Sequence, residues 1–378
     1  PTPIPPTNTP TPIPPTNTPT PIPLVGDDRF GVVILHADSL LEQQYYLEQL
    51  GVKWYLDFTA DPNKVTNSEK ILFLWTTSNE NVWSTGLAES IASLSEEQIA
   101  SLGFPHPAVI RQSAGDAPGS YWYMFGEPNR QPSLTGSAYA PVFHYYMNQI
   151  KSADPTAKII GPSMLNWDFT CYGCSGYQLG SIWLNEFITA YKSKYGQKPP
   201  VDAWSIDLYP IDWTNVPNND PDPSNQPNYK GGKVLHSYIV TEQLEAMRSY
   251  LNGNEYANTP IWVTEVAIHL GYEGWAWDPY PTIKPLGEYN WENMSNYLTQ
   301  ILNWFEINAA SNKVDKWFFF TPWKDIVNVG ADGYMGTIFF NGKGPNSQIN
   351  CLGELYKSWS LQYPKKKQCD ASGNTVPE

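Results

Sequence analysis

Residues 121–130 read YWYMFGEPNR: five aromatic or apolar residues run straight into a carboxylate held between Gly126 and Pro128. An unbroken apolar run is how a strand buried on both faces reads; a strand with one wet face alternates. Such a strand avoids an ionisable group, because desolvating a charge costs free energy or shifts its pKa. Glu127 therefore needs a reason to be where it is.

Seven further runs share this character: RFGVVILH (29–36), KWYLDF (53–58), ILFLW (71–75), AKIIGP (157–162), AWSIDLY (203–209), IWVTEV (261–266) and KWFFFT (316–321). Helix signals separate them. Ser39 with Glu42 forms a capping box ahead of LLEQQYYLEQL, with Gly51 at the C-cap, and Ser95 with Gln98 opens another helix. Longer segments at 141–155, 181–196, 240–253 and 291–310 space apolar residues three and four apart. Doubly buried strands alternating with helices predict an α/β fold, a closed parallel (β/α)8 TIM barrel. A doubly wound open sheet is the competing architecture, but no glycine-rich phosphate loop follows the first strand.

Ahead of this body, PTPIPPTNT occupies residues 1–9, repeats at 10–18 and begins again at 19. Proline-dense, uncharged sequence favours extended, hydrated polyproline conformations. Residues 1–25 are expected to be a linker, with 26–378 the catalytic domain and a signal peptide or further module upstream. The alternative is a disordered tail without a role.

The cysteines suit a secreted, extracellular protein: Cys171 and Cys174 in a Gly- and Tyr-containing loop, Cys351 and Cys369 about the last helical segment. Two disulfides are expected, with the connectivity open; half a zinc site or a redox motif is the alternative for the CxxC pair.

The formal charge of −14, from 23 Lys plus Arg against 37 Asp plus Glu, and the lack of a long polybasic run argue against nucleic acid and anionic membrane as partners. No stretch approaches the roughly 20 apolar residues of a membrane span. The 16 tryptophans suit sugar faces as well as a core. His36, His269 and the other histidines do not stand at ligand spacing with carboxylates, so neither a catalytic metal nor a cofactor is expected; the DPDP stretch at 220–223 reads as a solvated loop.

In a (β/α)8 barrel, chemistry gathers where the C-terminal strand ends converge. Glu127 ends the fourth predicted strand and Glu265 the seventh. A carboxyl pair can cleave a glycosidic bond, one group protonating the leaving oxygen and the other attacking the anomeric carbon. For either residue alone, a salt-bridge or capping role is an equal alternative.

The chain resembles a clan A glycoside hydrolase, a (β/α)8 group with its acid/base Glu after strand four and its nucleophile Glu after strand seven. GEPN (126–129) and WVTEV (262–266) match those signatures, and DPTAKIIGPS (154–163) is similar to the same region of families 39 and 128. VDAWSIDLYP (201–210) resembles the strand-six segment, ending in a Tyr, here Tyr209, that often contacts the nucleophile. Two positions depart from the pattern: Gly126 replaces the Asn that usually precedes the acid/base residue, and Asp207 stands where His is common. The resemblance implies that Trp323 floors the subsite next to the cleaved bond.

Other candidate substrate-binding residues follow from position. Asn129 and Arg130 come directly after Glu127. Trp75, Asn166, Trp167 and Asp207 lie at strand ends, as does Asp57, and Trp275 and Trp277 belong to the loop after strand seven. With the long loop at 212–232 they would wall several sugar subsites. The expected protein is a monomeric, secreted, retaining hydrolase of a β-linked polysaccharide or oligosaccharide, an endo-acting β-glucanase or related β-glycanase, its carboxyl groups about 5–5.5 Å apart. The alternative is a non-catalytic carbohydrate-binding barrel.

Overall fold

The computed structural model describes residues 26–34, 39–77, 79–131, 133–168, 178–209, 237–267, 290–323 and 339–377. The Pro/Thr repeat, Cys171, Cys174, His36, His269, Trp275, Trp277 and the loops at 212–232 and 271–281 lie outside the described residues.

Each predicted apolar run is a strand. β1 (Phe30–Val33), β2 (Trp54–Leu56), β3 (Glu69–Leu74), β4 (Tyr121–Met124), β5 (Lys158–Leu165), β6 (Ala203–Leu208), β7 (Ile261–Val266) and β8 (Val314–Phe320) form one closed barrel in sequence order. Closure is made by parallel pairing of β1 with β8, Phe30 opposite Trp317 through Val33 opposite Phe320. The helices are α1 (Leu40–Leu50), α2 (Glu80–Ser84), α3 (Glu96–Ser101), α4 (Pro107–Asp116), α5 (Gly136–Ala153), α6 (Gly180–Tyr195), α7 (Ser237–Gly253), α8 (Trp291–Asn312) and α9 (Cys351–Ser360). Both predicted capping boxes form, Ser39 with Glu42 and Ser95 with Gln98, and Gly51 ends α1 at φ 67°. The protein is a (β/α)8 TIM barrel.

The continuous apolar strands make two cores. Inside the barrel, Val33, Ile71, Tyr123, Ile160, Trp262 and Phe318 pack together, while Val32, Leu72, Trp122, Trp204 and Phe319 face the helices. Gly31 admits the interior packing: a Cβ there would stand 2.4 Å from the Phe318 ring. At the N-terminal end of the barrel Lys316 bonds Asp28 at 3.0 Å and lies 4.2 Å over the Trp54 ring. Burial alone would raise the Asp28 carboxyl, but bonds from Lys53, Trp54 and Lys316 outweigh it and hold the group at about 2. This end holds an open polar pocket of about 470 Å³ lined by Asp28, Trp54, Lys70, Tyr121 and Lys316, whereas catalytic groups of this fold gather at the opposite, C-terminal face.

Beyond β8, α9 packs on the barrel through the Tyr356 hydroxyl, which donates to the Gly31 carbonyl at 2.8 Å. Its first residue, Cys351, is bonded to Cys369 in β9 (Lys367–Cys369), which pairs antiparallel with β10 (Thr375–Pro377). The disulfide closes a segment of 18 residues. Cross-linking a loop of that size lowers unfolded-state entropy by an amount worth about 3 kcal/mol. The double substitution Cys351→Ser, Cys369→Ser should lower the unfolding free energy by about that amount in a denaturant titration, with native circular dichroism retained.

Candidate active site

Three strand ends bring the chemistry together. After β4 the backbone enters the left-handed region at Phe125 (φ 66°) and again at Glu127 (φ 48°), then makes a single 3-10 turn over Pro128–Arg130. Side chains rarely occupy this region without a compensating hold, and such residues cluster at functional sites. Here the hold is local: the Glu127 N–H donates to the Ser163 carbonyl at 2.9 Å. Asn129 completes it, accepting from the Leu165 N–H at 2.9 Å and donating to the carbonyls of Leu165 at 3.0 Å and Gln178 at 2.9 Å. The strain of the turn is offset by bonds to β5, which aim the Glu127 side chain into the barrel mouth.

Glu265 arrives on β7 beside Asp207 on β6. The two residues are direct register partners because the pairing shifts by one between Ile206 and Asp207, the kind of bulge that re-aims side chains next to active sites. One oxygen each of Glu127, Asp207 and Glu265 lies within 4.8 Å of the others. Glu265 is 8% exposed and Asp207 fully buried. The Tyr209 hydroxyl donates to Glu265 Oε2 at 2.5 Å, and Arg130 Nη1 to Glu127 Oε2 at 2.5 Å. Beneath them, Asp207 Oδ2 is 3.2 Å from the Tyr123 hydroxyl and Oδ1 is 2.7 Å from Thr264 Oγ1, itself 3.0 Å from Ser163 Oγ.

Charge follows from this packing. Burial, then the neighbouring Glu127 charge, pushes Asp207 up to about 8, against the lowering effect of the Ser163, Thr264 and Tyr123 hydroxyls. Burial also raises Glu265 well above the usual carboxylate range, with Asp207 and Glu127 adding to it and the Tyr209 bond opposing. Burial holds Tyr209 and Tyr123 far above 10, so both remain hydrogen-bond donors. Three carboxylate oxygens at this spacing are also what a cation would require. Each carboxylate, however, already meets a hydroxyl or a guanidinium, and a group held up to about 8 is largely neutral at pH 7, a poor cation ligand.

The other sequence candidates divide. Tyr209 touches Glu265 as expected. Asn129 is 1% exposed with its amide spent on β5, so its side chain does not reach the cleft. Asn166, at φ 55°, is turned to the neighbouring strand: Nδ2 donates to the Tyr209 carbonyl and Oδ1 accepts from the Tyr209 N–H, both at 3.0 Å. It positions Tyr209 and does not face a sugar. Trp167 is buried against Tyr250 of α7, a core contact. Asp207 lies under the pair with no surface to offer a hydroxyl, and Asp57 is bound to Lys70 at 2.8 Å. Trp75 stands 44% exposed directly beyond β3. Trp323 is half-buried and packs against the strand–helix core layer.

The Gly126 departure has a spatial cause. A Cβ there would come within 3.2 Å of the Tyr123 hydroxyl oxygen, so a branched side chain would press on the phenol that bonds Asp207. Sequence reading passed over Tyr123, Ser163 and Thr264, three hydroxyls inside otherwise apolar strand runs, and that polarity was the signal.

No protein-family model and no curated protein matches the chain. Solved structures do. A mutant of the glycoside hydrolase family 128 (GH128, subgroup I) endo-β-1,3-glucanase of Amycolatopsis mediterranei, in complex with laminaripentaose, is similar at a TM-score of 0.50 and 16% identity, over 88% of this chain and 99% of that one. A GH128 subgroup II endo-β-1,3-glucanase of Sorangium cellulosum follows at 0.49 and 15%, over 87% and 98%. A GH128 subgroup VII oligosaccharide-binding protein of Trichoderma gamsii stands at 0.41 and 14%, over 80% and 86%. At these identities the likeness is one of fold.

The clip formed by Asn129 supports a stability test. Asn129→Ala should cost about 2–4 kcal/mol in denaturant unfolding, since three bonds at about 1 kcal/mol each are lost and the Leu165 groups are left buried and unpaired. Asn129→Asp should not restore the loss, because a carboxylate cannot donate to the two carbonyls.

Proposed function

We propose that the chain is a glycoside hydrolase acting on a β-glucan by the retaining mechanism, with Glu265 as nucleophile and Glu127 as acid/base. The observation that carries this reading is the convergence of the two glutamates at the C-terminal face, oxygens within 4.8 Å, with a tyrosine donor on one of them. Retaining enzymes hold their two carboxyl groups about 5–5.5 Å apart and inverting enzymes about 6.5–9.5 Å, and the close approach of one oxygen from each glutamate is what supports the retaining reading.

In the first step Glu265 attacks the anomeric carbon through Oε1, while the Tyr209 hydroxyl on Oε2 fixes the carboxylate plane. Glu127 protonates the departing glycosidic oxygen. In the second step Glu127 takes a proton from water, which displaces the sugar from Glu265. Arg130 stabilises the carboxylate form of Glu127, as the second step requires. It must part from Glu127 for the first, and its 54% exposed side chain has room to rotate away.

A β-1,3-glucan is the substrate favoured by the company of the fold, since two of the neighbours above are described as endo-β-1,3-glucanases. Trp75, exposed at the rim, would stack on a sugar further from the cleaved bond. The Cys351–Cys369 disulfide and the Pro/Thr repeat suit a secreted catalytic domain, residues 26–378, on a linker of residues 1–25. One observation favours an oligosaccharide-binding barrel: the acid/base candidate Glu127 is engaged by Arg130 at 2.5 Å.

Glu265→Ala should abolish sugar release from β-1,3-glucan, and azide should restore turnover as a glycosyl azide of inverted anomeric configuration. Wild-type-like turnover in that variant would remove Glu265 from the chemistry. Binding of laminari-oligosaccharides without any release by the wild-type chain, across a panel of β-1,3- and β-1,4-glucans, mannan and xylan, would identify the binding barrel. Trp75→Ala should raise KM on long glucans about tenfold, roughly 1.4 kcal/mol, with kcat kept, because a remote platform binds substrate and transition state alike.

A further inference from the structure

Three carboxylates meet at the barrel mouth, whereas double displacement assigns roles to two. The groups that face the third, Asp207, are Tyr123 on β4, Glu127 with its partner Arg130 beyond β4, Ser163 on β5, and Thr264 and Glu265 on β7, with Tyr209 following on its own strand. The cation at hand is Arg130, and its guanidinium is bound to Glu127. Asp207 is fully buried and receives only hydroxyl contacts. Three full negative charges within 4.8 Å, set against one guanidinium among the described residues, are not a stable arrangement where two of the three are buried.

We propose that Asp207 is a positioning residue that carries a proton beneath the Glu127–Glu265 pair and so leaves Glu265 as the carboxylate. This rests on the retaining reading given above. Asp207 is the foremost charge opposing ionisation of Glu265, ahead of Glu127, so neutralising it eases the nucleophile most. Glu265 keeps 8% exposure and lies in the field of Arg130 besides accepting from the Tyr209 hydroxyl at 2.5 Å, whereas Asp207 is wholly enclosed and meets hydroxyls alone. The hydroxyls accommodate the proton. Asp207 Oδ1–H donates to Thr264 Oγ1 across 2.7 Å, and Thr264 donates to Ser163 Oγ across 3.0 Å. Tyr123 still donates to Oδ2. Burial raises both Asp207 and Glu265, and a proton on Asp207 removes the foremost charge that opposes ionisation of Glu265.

The proton has a thermodynamic signature. A folded value of about 8 against about 3.9 unfolded means that the native state holds more protons between those limits, so stability falls as pH rises from about 4 to 8 and levels above. In Asp207→Asn, which has the shape of the protonated acid, the melting temperature should fall less steeply over that window. On β-1,3-glucan the same variant should show the alkaline limb of its kcat/KM profile moved to higher pH. Superimposable wild-type and Asp207→Asn pH profiles of the melting temperature would overturn the proposal, because a purely structural residue shifts stability without changing its pH slope. Should Asp207→Asn not fold, wild-type protein carrying carboxyl-13C aspartate decides. One aspartate signal that remains protonated at pH 7 and titrates near 8 is expected, and its absence overturns the proposal. The melting and labelling measurements do not use turnover, so a folded chain that cleaves no β-glucan would defeat the enzyme reading while leaving the question of the Asp207 proton to be answered separately.

Discussion

Electrostatic repulsion among Glu127, Asp207 and Glu265 is the constraint around which the barrel mouth is arranged. A closed parallel barrel delivers its strand ends to one place whether or not their side chains agree, and here β4, β6 and β7 deliver carboxyl groups. The surroundings distribute the cost unevenly. The outermost group, Glu127, has a guanidinium; Glu265 has the Tyr209 phenol and some exposure; the deepest, Asp207, has the Tyr123 phenol and the Thr264 hydroxyl but no exposed surface. Access to water therefore falls with depth, and the proposed proton sits where water does not reach. Removing one hydroxyl from the lower layer would alter a carboxylate it never touches, because the proton's position couples all three.

Gly126 belongs to the same arrangement. The sequence pattern that this chain resembles places an asparagine where Gly126 stands. In this chain the volume above residue 126 is bounded by the Tyr123 hydroxyl, which reaches past the backbone to Asp207. Glycine at 126, tyrosine at 123 and aspartate at 207 are thus one solution: the tyrosine needs the space, and the aspartate needs the tyrosine. Restoring asparagine alone would press on the phenol, so the three positions are coupled.

The barrel was legible because its signal is collective. Eight apolar runs without alternation, separated by capped helices, leave few architectures, and no single strand had to be read correctly. Glu127, Glu265 and Tyr209 were legible because each ends such a run. Asn129, Asn166 and Trp167 share that position, yet their side chains serve the scaffold. Sequence places a residue at the rim, but whether its amide turns to the neighbouring strand depends on a positive φ at Asn166 and on the turn at Glu127, which spacing does not reveal. Asp207, a candidate by its strand-end position, owes its place beneath the pair to a feature that spacing does not show. A register shift in the β6–β7 pairing sets it beside Glu265, and bulges leave no mark in the apolar pattern.

The charge arrangement also bears on how one glutamate could serve as acid and then as base. While Glu265 is ionised, Glu127 faces an anion within 4.8 Å on one side and the Arg130 guanidinium on the other. Formation of a glycosyl ester at Glu265 would erase that anion. A deprotonated Glu127 would then be opposed by one charge fewer and would have Arg130 as its partner, the state needed to take a proton from water. A neutral Asp207 is what makes this alternation clean, because an ionised one would supply a constant repulsion that the covalent step could not switch off. On this reading the third carboxyl contributes by carrying no charge, and its burial, which would be a fault in a sugar-binding residue, is what suits it to the task.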